Sequence, residues 1–393
     1  MEWDARKRGM MLKLQHLPVF FIILLLLSCS SATLPDPERS NSSGGKIASQ
    51  SLAENAQEII PQVAAGVVHI CLLNIKGEVL CWPSWEPEAA ENFFEAYHVA
   101  GLSDDVTAIA IGAYHSCALM RTGEVQCWGQ NGYGQLGNGT TEDSTTPISV
   151  QGLSGPVVQL AAGYAHTCAL LDAGEVQCWG QNTSGQLGDG TKADRITPVT
   201  VTGSNGKTST IKAGWSYTCA VEDSGKILCW GQGPFDPDNG NMQISLEFPT
   251  YLDWLDSEFQ AMAIGVYHLC LVTKDGAIQC RGSIFSPEDP GDGSVFDTDN
   301  LTGKVRQIVA GADFNCVLTE MGGVKCWGDN YFGQLGDGTY LANNPVDVLG
   351  LKEGVVAIGS GEYIGCALLS SGAVECWGDT SFPMTGAGRV VWK

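Results

Sequence analysis

The cysteines are the residues whose spacing could most directly do chemistry, either as disulfides or as metal ligands. Fourteen of the fifteen cysteines fall into seven pairs, and the members of each pair are ten residues apart. Two thiols without a recurring third ligand make a poor zinc site, so we expect seven disulfides formed in an oxidising compartment. The expected pairs are Cys71 with Cys81, Cys117 with Cys127, Cys168 with Cys178, Cys219 with Cys229, Cys270 with Cys280, Cys316 with Cys326, and Cys366 with Cys376.

The third pair shows why this spacing suits a disulfide. Residues 166–171 and 175–179 are predicted to be strands, and Asp172-Ala173-Gly174 between them is a three-residue hairpin loop. Glycine is placed where the loop requires a left-handed backbone conformation. The loop sets Cys168 opposite Cys178, at a Cα separation that a disulfide accepts.

Catalytic chemistry has little support in the sequence. There is no Gly-x-Ser-x-Gly nucleophile elbow and no phosphate-binding Gly-x4-Gly-Lys-Ser/Thr loop. We therefore assign no catalytic residue and expect no cofactor. The oxygen-rich segments 236–241, 289–293 and 297–300 lack the spacing of a calcium-binding helix-loop-helix, and turn chemistry explains them equally well. No metal ligand is assigned, and calcium binding by these loops stays open.

Other residues recur in phase with the cysteines. Histidine occupies one repeat position four times, at His69, His115, His166 and His268, but Tyr217, Phe314 and Ile364 occupy it in the other repeats. A ring of metal ligands would not accept Phe and Ile, so we interpret this as a packing position. A second position holds Trp82, Trp128, Trp179, Trp230, Trp327 and Trp377, with Arg281 as the exception, and is expected to lie in the core between repeats.

The repeat length indicates the fold. Successive cysteine pairs begin 46 to 51 residues apart, and each repeat contains four short predicted strands. A period of this length with strand-like content is typical of a β-propeller blade. We therefore predict an all-β, seven-bladed β-propeller over residues 58–393, with one disulfide inside each blade. The segment 389–392 is expected to supply an outer strand.

The repeats resemble those of the regulator of chromosome condensation family. The third repeat has Gly163-x-x-His166-x-Cys168, Trp179-Gly180-x-Asn182 and Gly185-Gln-Leu-Gly188, and parts of this pattern recur in the second and sixth repeats. The resemblance implies a single seven-bladed propeller. The family's namesake is a nuclear exchange factor for a small GTPase, whereas a secreted bacterial β-lactamase inhibitor of similar fold acts as a rigid protein-binding disc. The secreted inhibitor is the closer comparison, because this chain is also expected to be exported.

The N-terminal segment predicts export. Basic residues precede an apolar run from Val19 to Leu27, which has the length of a signal-peptide core and is too short to cross a bilayer. Leu26-Leu27-Ser28-Cys29 resembles a bacterial lipobox, which implies cleavage before Cys29 and lipidation of its sulfur. We expect residues 1–29 to be a signal peptide with a lipobox and residues 30–57 a flexible tether. The alternative is an ordinary secretory signal with an incidental cysteine.

Three repeats depart from the Gly-Gln-Leu-Gly pattern after their second cysteine. The departing stretches are residues 83–99, 233–255 and 283–300, and in a propeller they should emerge on one face. Aromatic residues on such loops are typical of recognition surfaces. The candidate partner-binding residues are Trp85, Phe93, Tyr97, Phe235, Tyr251, Trp254, Phe285 and Phe296. The alternative is that these rings fold onto their own blades.

Charge and localisation complete the sequence-based prediction. The formal net charge of −22 disfavours nucleic-acid binding, which depends on Lys and Arg neutralising phosphates. We predict a non-enzymatic binding scaffold that is anchored to the bacterial envelope only through lipid on Cys29, at the outer membrane because no Asp follows Cys29. Its partner is expected to be a protein. A glycan-binding module is the alternative, and a hydrolase using loop carboxylates is a weaker third possibility.

Overall fold

The computed structural model describes residues 59–83, 96–203, 206–233, 244–252, 259–282, 304–341, 343–379 and 389–392. The predicted signal peptide with Cys29, the predicted tether and most of the departing loop residues lie outside this part of the chain. The described residues form strands and turns, and they contain no helix long and apolar enough to cross a bilayer.

Seven antiparallel sheets follow one another along the chain, and each is one blade of a propeller. Blade 1 consists of β1 (Gln62–Ala65), β2 (His69–Leu73), β3 (Val79–Pro83) and β4 (Tyr97–His98). Blade 2 consists of β5 (Val106–Ile111), β6 (His115–Met120), β7 (Val125–Gly129) and β8 (Ser144–Ser149). Blade 3 consists of β9 (Val157–Ala162), β10 (His166–Leu171), β11 (Val176–Gly180) and β12 (Arg195–Thr200).

The other four blades repeat this order. Blade 4 consists of β13 (Thr208–Ala213), β14 (Tyr217–Glu222), β15 (Ile227–Gly233) and β16 (Ile244–Tyr251). Blade 5 has three described strands, β17 (Phe259–Ile264), β18 (His268–Thr273) and β19 (Ile278–Gly282). Blade 6 consists of β20 (Val305–Ala310), β21 (Phe314–Thr319), β22 (Val324–Gly328) and β23 (Asn343–Asp347). Blade 7 consists of β24 (Val355–Ser360), β25 (Ile364–Leu369), β26 (Val374–Gly378) and β27 (Arg389–Trp392). The predicted all-β, seven-bladed architecture is confirmed.

The hairpin between the second and third strands sets the cysteine register. In blade 3, Gly174 has φ 86°, and its N–H donates to the Leu171 carbonyl to close the loop. Cys168 then pairs directly with Cys178 across the ladder, as the loop length predicts.

All seven predicted disulfides are present, one in each blade, with Cα separations of 4.0–4.1 Å. In every blade the first cysteine lies on the second strand and the second cysteine lies directly opposite on the third strand. The bonds join Cys71 to Cys81, Cys117 to Cys127, Cys168 to Cys178, Cys219 to Cys229, Cys270 to Cys280, Cys316 to Cys326, and Cys366 to Cys376. The predicted pairing is therefore confirmed for each cysteine of the propeller.

The recurrent tryptophans lie between blades, as predicted. The indole N–H of Trp179 donates to the Gln135 carbonyl of blade 2 at 2.9 Å. Trp377 of blade 7 makes the same contact with the Gln334 carbonyl of blade 6 at 2.9 Å. Each carbonyl belongs to a Gly-Gln-Leu-Gly segment, whose leucine is fully buried at Leu136 and Leu335. This segment therefore forms the surface on which the next blade packs.

Blades 1 and 7 close the ring through side-chain packing. Strand β27 pairs with β26, so the outer strand predicted for residues 389–392 is confirmed and belongs to blade 7. Val63 and Ile70 of blade 1 form one buried apolar cluster with Ala357 and Ile364 of blade 7. Among the described strands, none is shared between these two blades. Within the described residues, the two blades are therefore joined by a shared apolar core.

Candidate binding face

Two sets of loops lie on one side of the propeller. The first set contains the turns between the innermost and second strands, and the second set begins where the third strand ends. Backbone hydrogen bonds join the sets: Gln130 N–H donates to the Tyr114 carbonyl at 2.9 Å, and Asp379 N–H donates to the Tyr363 carbonyl at 3.0 Å. We call this side the loop face, and the opposite side, which carries the hairpins of the cysteine pairs, the hairpin face.

An arc of aromatic rings crosses the loop face near the propeller axis. Tyr114 of blade 2 contacts Tyr164 of blade 3 edge to face, with ring centroids 5.6 Å apart. Tyr164 in turn stacks on Trp215 of blade 4, with centroids 4.3 Å apart and an interplanar angle of 24°. These three residues, which we call the aromatic arc, occupy turns on three successive blades. They therefore form one surface that no single blade provides.

The backbone of the turns holds the aromatic arc in place. The N–H of Ala113, beside Tyr114, donates to the Tyr164 carbonyl at 3.2 Å. The N–H of Tyr164 donates to the Trp215 carbonyl at 3.1 Å. Each turn is thus hydrogen-bonded to the turn of the next blade, so the rings are presented on a pre-organised frame.

Blades 6 and 7 bring carboxylates beside further aromatic rings. Phe332 packs against Tyr363 with ring centroids 4.8 Å apart. Burial, together with the nearby charges of Asp329 and Glu362, raises the pKa of Asp313 to about 6. Burial also raises the pKa of Glu362. Among the described residues, the Asp313 Oδ1 atom is buried and accepts no hydrogen bond. This part of the loop face is therefore acidic and incompletely paired.

The histidines form contacts between blades. The Nε2 atoms of His115 and His166 lie 2.9 Å from the hydroxyls of Thr167 and Thr218 of the following blades. Burial lowers the pKa of both histidines to about 3, so they are neutral at pH 7. No group of three or more His, Cys, Asp or Glu side chains in the described ranges could hold a metal ion. The predicted packing role of the histidines is confirmed.

Two of the predicted partner-binding residues are described, and neither lies in the aromatic arc. Tyr97 lies on the outer strand β4 and is 46% exposed. Tyr251 lies near the hairpin face, where its hydroxyl donates to Glu222 Oε1 at 2.8 Å and the Lys226 ammonium is 5.3 Å from its ring centroid. The others, Trp85, Phe93, Phe235, Trp254, Phe285 and Phe296, lie outside the described residues, so their role stays a prediction.

Sequence reasoning missed the aromatic arc. Tyr114, Tyr164 and Trp215 occupy the two variable positions after the turn glycines Gly112, Gly163 and Gly214. In this motif the histidine and cysteine recur between blades, whereas the aromatic residues do not keep one position. The signal that could have found the arc was the frequency of aromatic residues at the positions that do not repeat.

Comparisons with known proteins agree with the architecture. A family model described as "Regulator of chromosome condensation (RCC1) repeat" matches residues 122–170, 173–221 and 322–368. A second model of the same description matches residues 106–135, 157–186 and 305–334. The predicted presence of these repeats is therefore confirmed.

Curated relatives share about half of the chain. It is 32% identical over 55% of its length to the ultraviolet-B receptor UVR8 of Arabidopsis thaliana, of which the match covers 51%. It is 30% identical over 53% of its length to protein RCC2 of Mus musculus, of which the match covers 36%. The chain thus spans about half the length, or less, of these relatives.

Solved structures share the fold at low identity. Human WBSCR16 superposes with a TM-score of 0.66 at 22% identity, covering 78% of this chain and 85% of that one. Prp20p of Saccharomyces cerevisiae superposes with a TM-score of 0.63 at 19% identity, covering 76% and 80% of the two chains. These likenesses show the fold, a seven-bladed β-propeller, and the family models find regulator of chromosome condensation repeats in the parts of the chain they match, which lie within residues 106–221 and 305–368.

Proposed function

We propose that this chain is a non-enzymatic binding scaffold of the bacterial cell envelope, which recognises a partner protein through its loop face. The observation that carries the proposal is the aromatic arc formed by Tyr114, Tyr164 and Trp215 across three blades. Aromatic side chains are enriched at the centres of protein interfaces, where they supply large contact areas at a low entropic cost. Carboxylates at Asp313 and Glu362 add a polar flank.

The rigidity of the frame supports a recognition role. A disulfide closes each blade, and hydrogen bonds join the turns of neighbouring blades on the loop face. A surface that is already ordered before binding loses little conformational entropy when the partner docks. The fold therefore suits a preformed interface better than a surface that orders on binding.

Known proteins of similar fold are consistent with a protein partner. The solved structure of Prp20p is described together with its binding properties to Gsp1p and histones. Another structure shows yeast RCC1 (Prp20) bound by Kap60. These partners belong to those proteins. What we transfer to this chain is only the class of activity, which is binding of proteins by a propeller.

The cellular part of the proposal rests on the N-terminal sequence. The apolar run from Val19 to Leu27 and the lipobox-like sequence ending in Cys29 favour export and attachment to the outer membrane by lipid. Seven intra-blade disulfides are consistent with an oxidising compartment outside the cytoplasm.

The proposal is tested by affinity capture from envelope extracts with the full chain, expressed with its own N-terminus. The test variant carries Tyr164→Ala and Trp215→Ala in the aromatic arc. The control is Met321→Ala, because Met321 is an apolar residue of a hairpin-face turn and is 79% exposed.

We expect one protein to be retained by the wild-type chain and by Met321→Ala and lost with the aromatic-arc variant. Equal capture by all three baits would show that the loop face is not the binding surface. Loss of capture after glycosidase treatment of the extract would favour the glycan-binding alternative.

A further inference from the structure

The propeller axis contains a cavity that opens toward the hairpin face. Its volume is about 800 Å³, and it is lined by the innermost strands of blades 1, 2, 3, 6 and 7 and by Lys212 of blade 4. Hairpin-turn residues Arg121 and Asp172 lie at its rim. A cavity of this size falls in the range of sites that bind small molecules. We call it the axial cavity.

A repeated β-bulge turns side chains toward the axial cavity. In each innermost strand of blades 2 to 7, one residue has no partner in the ladder. A bulge of this kind re-aims side chains and breaks the usual alternation. Arg306 is the bulge residue of blade 6, and Val158 and Val356 are those of blades 3 and 7. All three line the axial cavity.

Lys212 stands out from the equivalent residues of the other blades. It lies two positions before the turn glycine of blade 4. Its six equivalents are small or apolar: Ala64, Ala110, Ala161, Ala263, Val309 and Gly359. Of these equivalents, Ala64, Val309 and Gly359 line the axial cavity, and Lys212 is the one position of the set that adds an ammonium group to its wall.

The charge of the axial cavity is opposite to that of the whole chain. The described residues that line it include the cations Arg121, Lys212 and Arg306 but only one acidic residue, Asp172. The chain has a formal net charge of −22. A positive lining in so acidic a protein is not explained by its overall composition.

The cation Lys212 lacks a counter-ion within the described part of the chain, and so does Arg306. The Lys212 side chain is accessible from the cavity but is surrounded by protein, and this burial lowers its pKa. For Lys212 this is unfavourable, because its ammonium group has lost part of its hydration and gained no ion pair, whereas Arg306 is exposed. An anion in the axial cavity would offset this cost.

We propose that the axial cavity binds a small organic anion, whose carboxylate or phosphate group pairs with Lys212 and Arg306 and whose apolar part contacts Val158 and Val356. Carboxylate and phosphate are the groups that guanidinium and ammonium groups bind most strongly. An anion with an apolar part uses the valine wall as well as the cations, which a simple inorganic ion does not. This site is separate from the loop face and does not depend on the function proposed above.

The probe for the test is the fluorescent dye anilinonaphthalene sulfonate, which combines an apolar body with one anionic group. Phenylnaphthylamine has a similar apolar body without the anionic group and serves as the matched neutral dye. Binding of each dye to the full chain is measured by fluorescence titration. Octanoate and octyl phosphate are then used as competitors, which distinguishes a preference for carboxylate from one for phosphate.

Each of two variants removes one cation by installing a residue that another blade has at the equivalent position. Lys212→Ala installs the residue that blades 1, 2, 3 and 5 already have, and Arg306→Gln installs the Gln260 found in blade 5. Lys76→Ala is the control for charge, because Lys76 is an exposed lysine in a hairpin turn outside the cavity. Tyr164→Ala is the control for dye binding to the aromatic arc. Circular dichroism and thermal unfolding confirm that each variant folds.

We expect the sulfonate dye to bind at one site per chain and to be displaced by at least one of the two competitors. Each cavity variant should weaken its binding about tenfold, as loss of one charge-assisted contact does. Lys76→Ala and Tyr164→Ala should leave it unchanged, and the neutral dye should bind equally to all variants. Equal binding of the sulfonate dye to wild type and both cavity variants would overturn the proposal. Displacement by neither competitor would do the same.

Discussion

The indole ring of Trp215 stacks on the phenol ring of Tyr164 at a centroid separation of 4.3 Å, although the two residues belong to different blades. Their backbones are also joined, because the N–H of Tyr164 donates to the Trp215 carbonyl. The stack therefore links the interface between blades 3 and 4 to the surface that we propose for recognition. A substitution at either ring should therefore change both the stability of the interface between blades 3 and 4 and the binding of a partner.

The first prediction concerns this stack. Trp215→Ala and Tyr164→Ala should each lower the free energy of unfolding, and the double variant should lower it by less than the sum. We expect a coupling free energy of about 1 kcal/mol, the value typical of an aromatic pair. Denaturant unfolding of the two single variants and the double variant measures it. Strictly additive effects would show that the rings do not stabilise each other.

The second prediction concerns pH. Burial lowers the pKa of His166 to about 3 from the ordinary value of 6.5. The unfolded chain therefore binds a proton at this residue that the folded chain does not bind. The free energy of unfolding should then fall as pH decreases from about 6.5 toward 3, with a slope of about 1.4 kcal/mol per pH unit for each such histidine. His115 should contribute in the same direction, since burial also lowers its pKa to about 3.

The matched variant for this prediction is His166→Phe, because blade 6 has Phe314 at the equivalent position. Denaturant unfolding between pH 4 and pH 6.5 should show a shallower loss of stability in His166→Phe than in the wild-type chain. Asp313 acts in the opposite direction, because its pKa is raised to about 6 and its contribution is lost as pH rises through that value. The contribution of Asp313 is the same in His166→Phe and in the wild-type chain, so it cancels when the two are compared at each pH. An unchanged slope in His166→Phe would contradict the prediction.

The third prediction compares two glycines that share a left-handed backbone but differ in their surroundings. Gly137 has φ 66°, and a Cβ at this position would lie 2.7 Å from Trp179 Nε1 of the next blade. Gly152 has φ 87°, and a Cβ there would meet nothing within 4 Å. Gly152→Ala should therefore lower the free energy of unfolding by about 1 kcal/mol through backbone strain alone. Gly137→Ala should cost a further 1–3 kcal/mol, roughly, because Trp179 must move.

Thermal or denaturant unfolding of the two glycine variants measures the difference between them. An equal loss of stability in both would mean that the Gly-Gln-Leu-Gly segment does not support the tryptophan of the following blade.

The sequence predicted the fold because its information is periodic and local. A constant ten-residue separation in the cysteine pairs and a three-residue loop at Asp172-Ala173-Gly174 are enough to set the hairpin register. The number of pairs, seven, sets the number of blades, and their spacing of 46 to 51 residues sets the length of each. Both the disulfides and the outer strand at residues 389–392 follow from these local patterns, and the structure confirms them.

The surface that we propose for binding could not be predicted in the same way, because it depends on contacts between blades. Tyr164 and Trp215 are 51 residues apart, and only the ring arrangement brings them together. Tyr251 shows the opposite case. Strand β16 is eight residues long and carries the chain from near Gly233 to beside Leu228, so Tyr251 reaches the hairpin face although its segment begins on the loop face. Position in the sequence after a cysteine therefore does not fix which face a residue reaches.

The closure of the ring has a mechanical consequence. In the described part of the chain, each blade is one contiguous segment of sequence, and blades 1 and 7 are joined by packing without a shared strand. The packing includes the side chains of Ile70 and Ile364 and the close approach of the Gly359 backbone to Val63. No backbone ladder has to be broken to separate these two blades, and no peptide link joins them directly. Under a mechanical stretching force, the ring should therefore open first at the interface between blades 1 and 7. All seven sheets should stay folded, and the interface should form again when the force is removed.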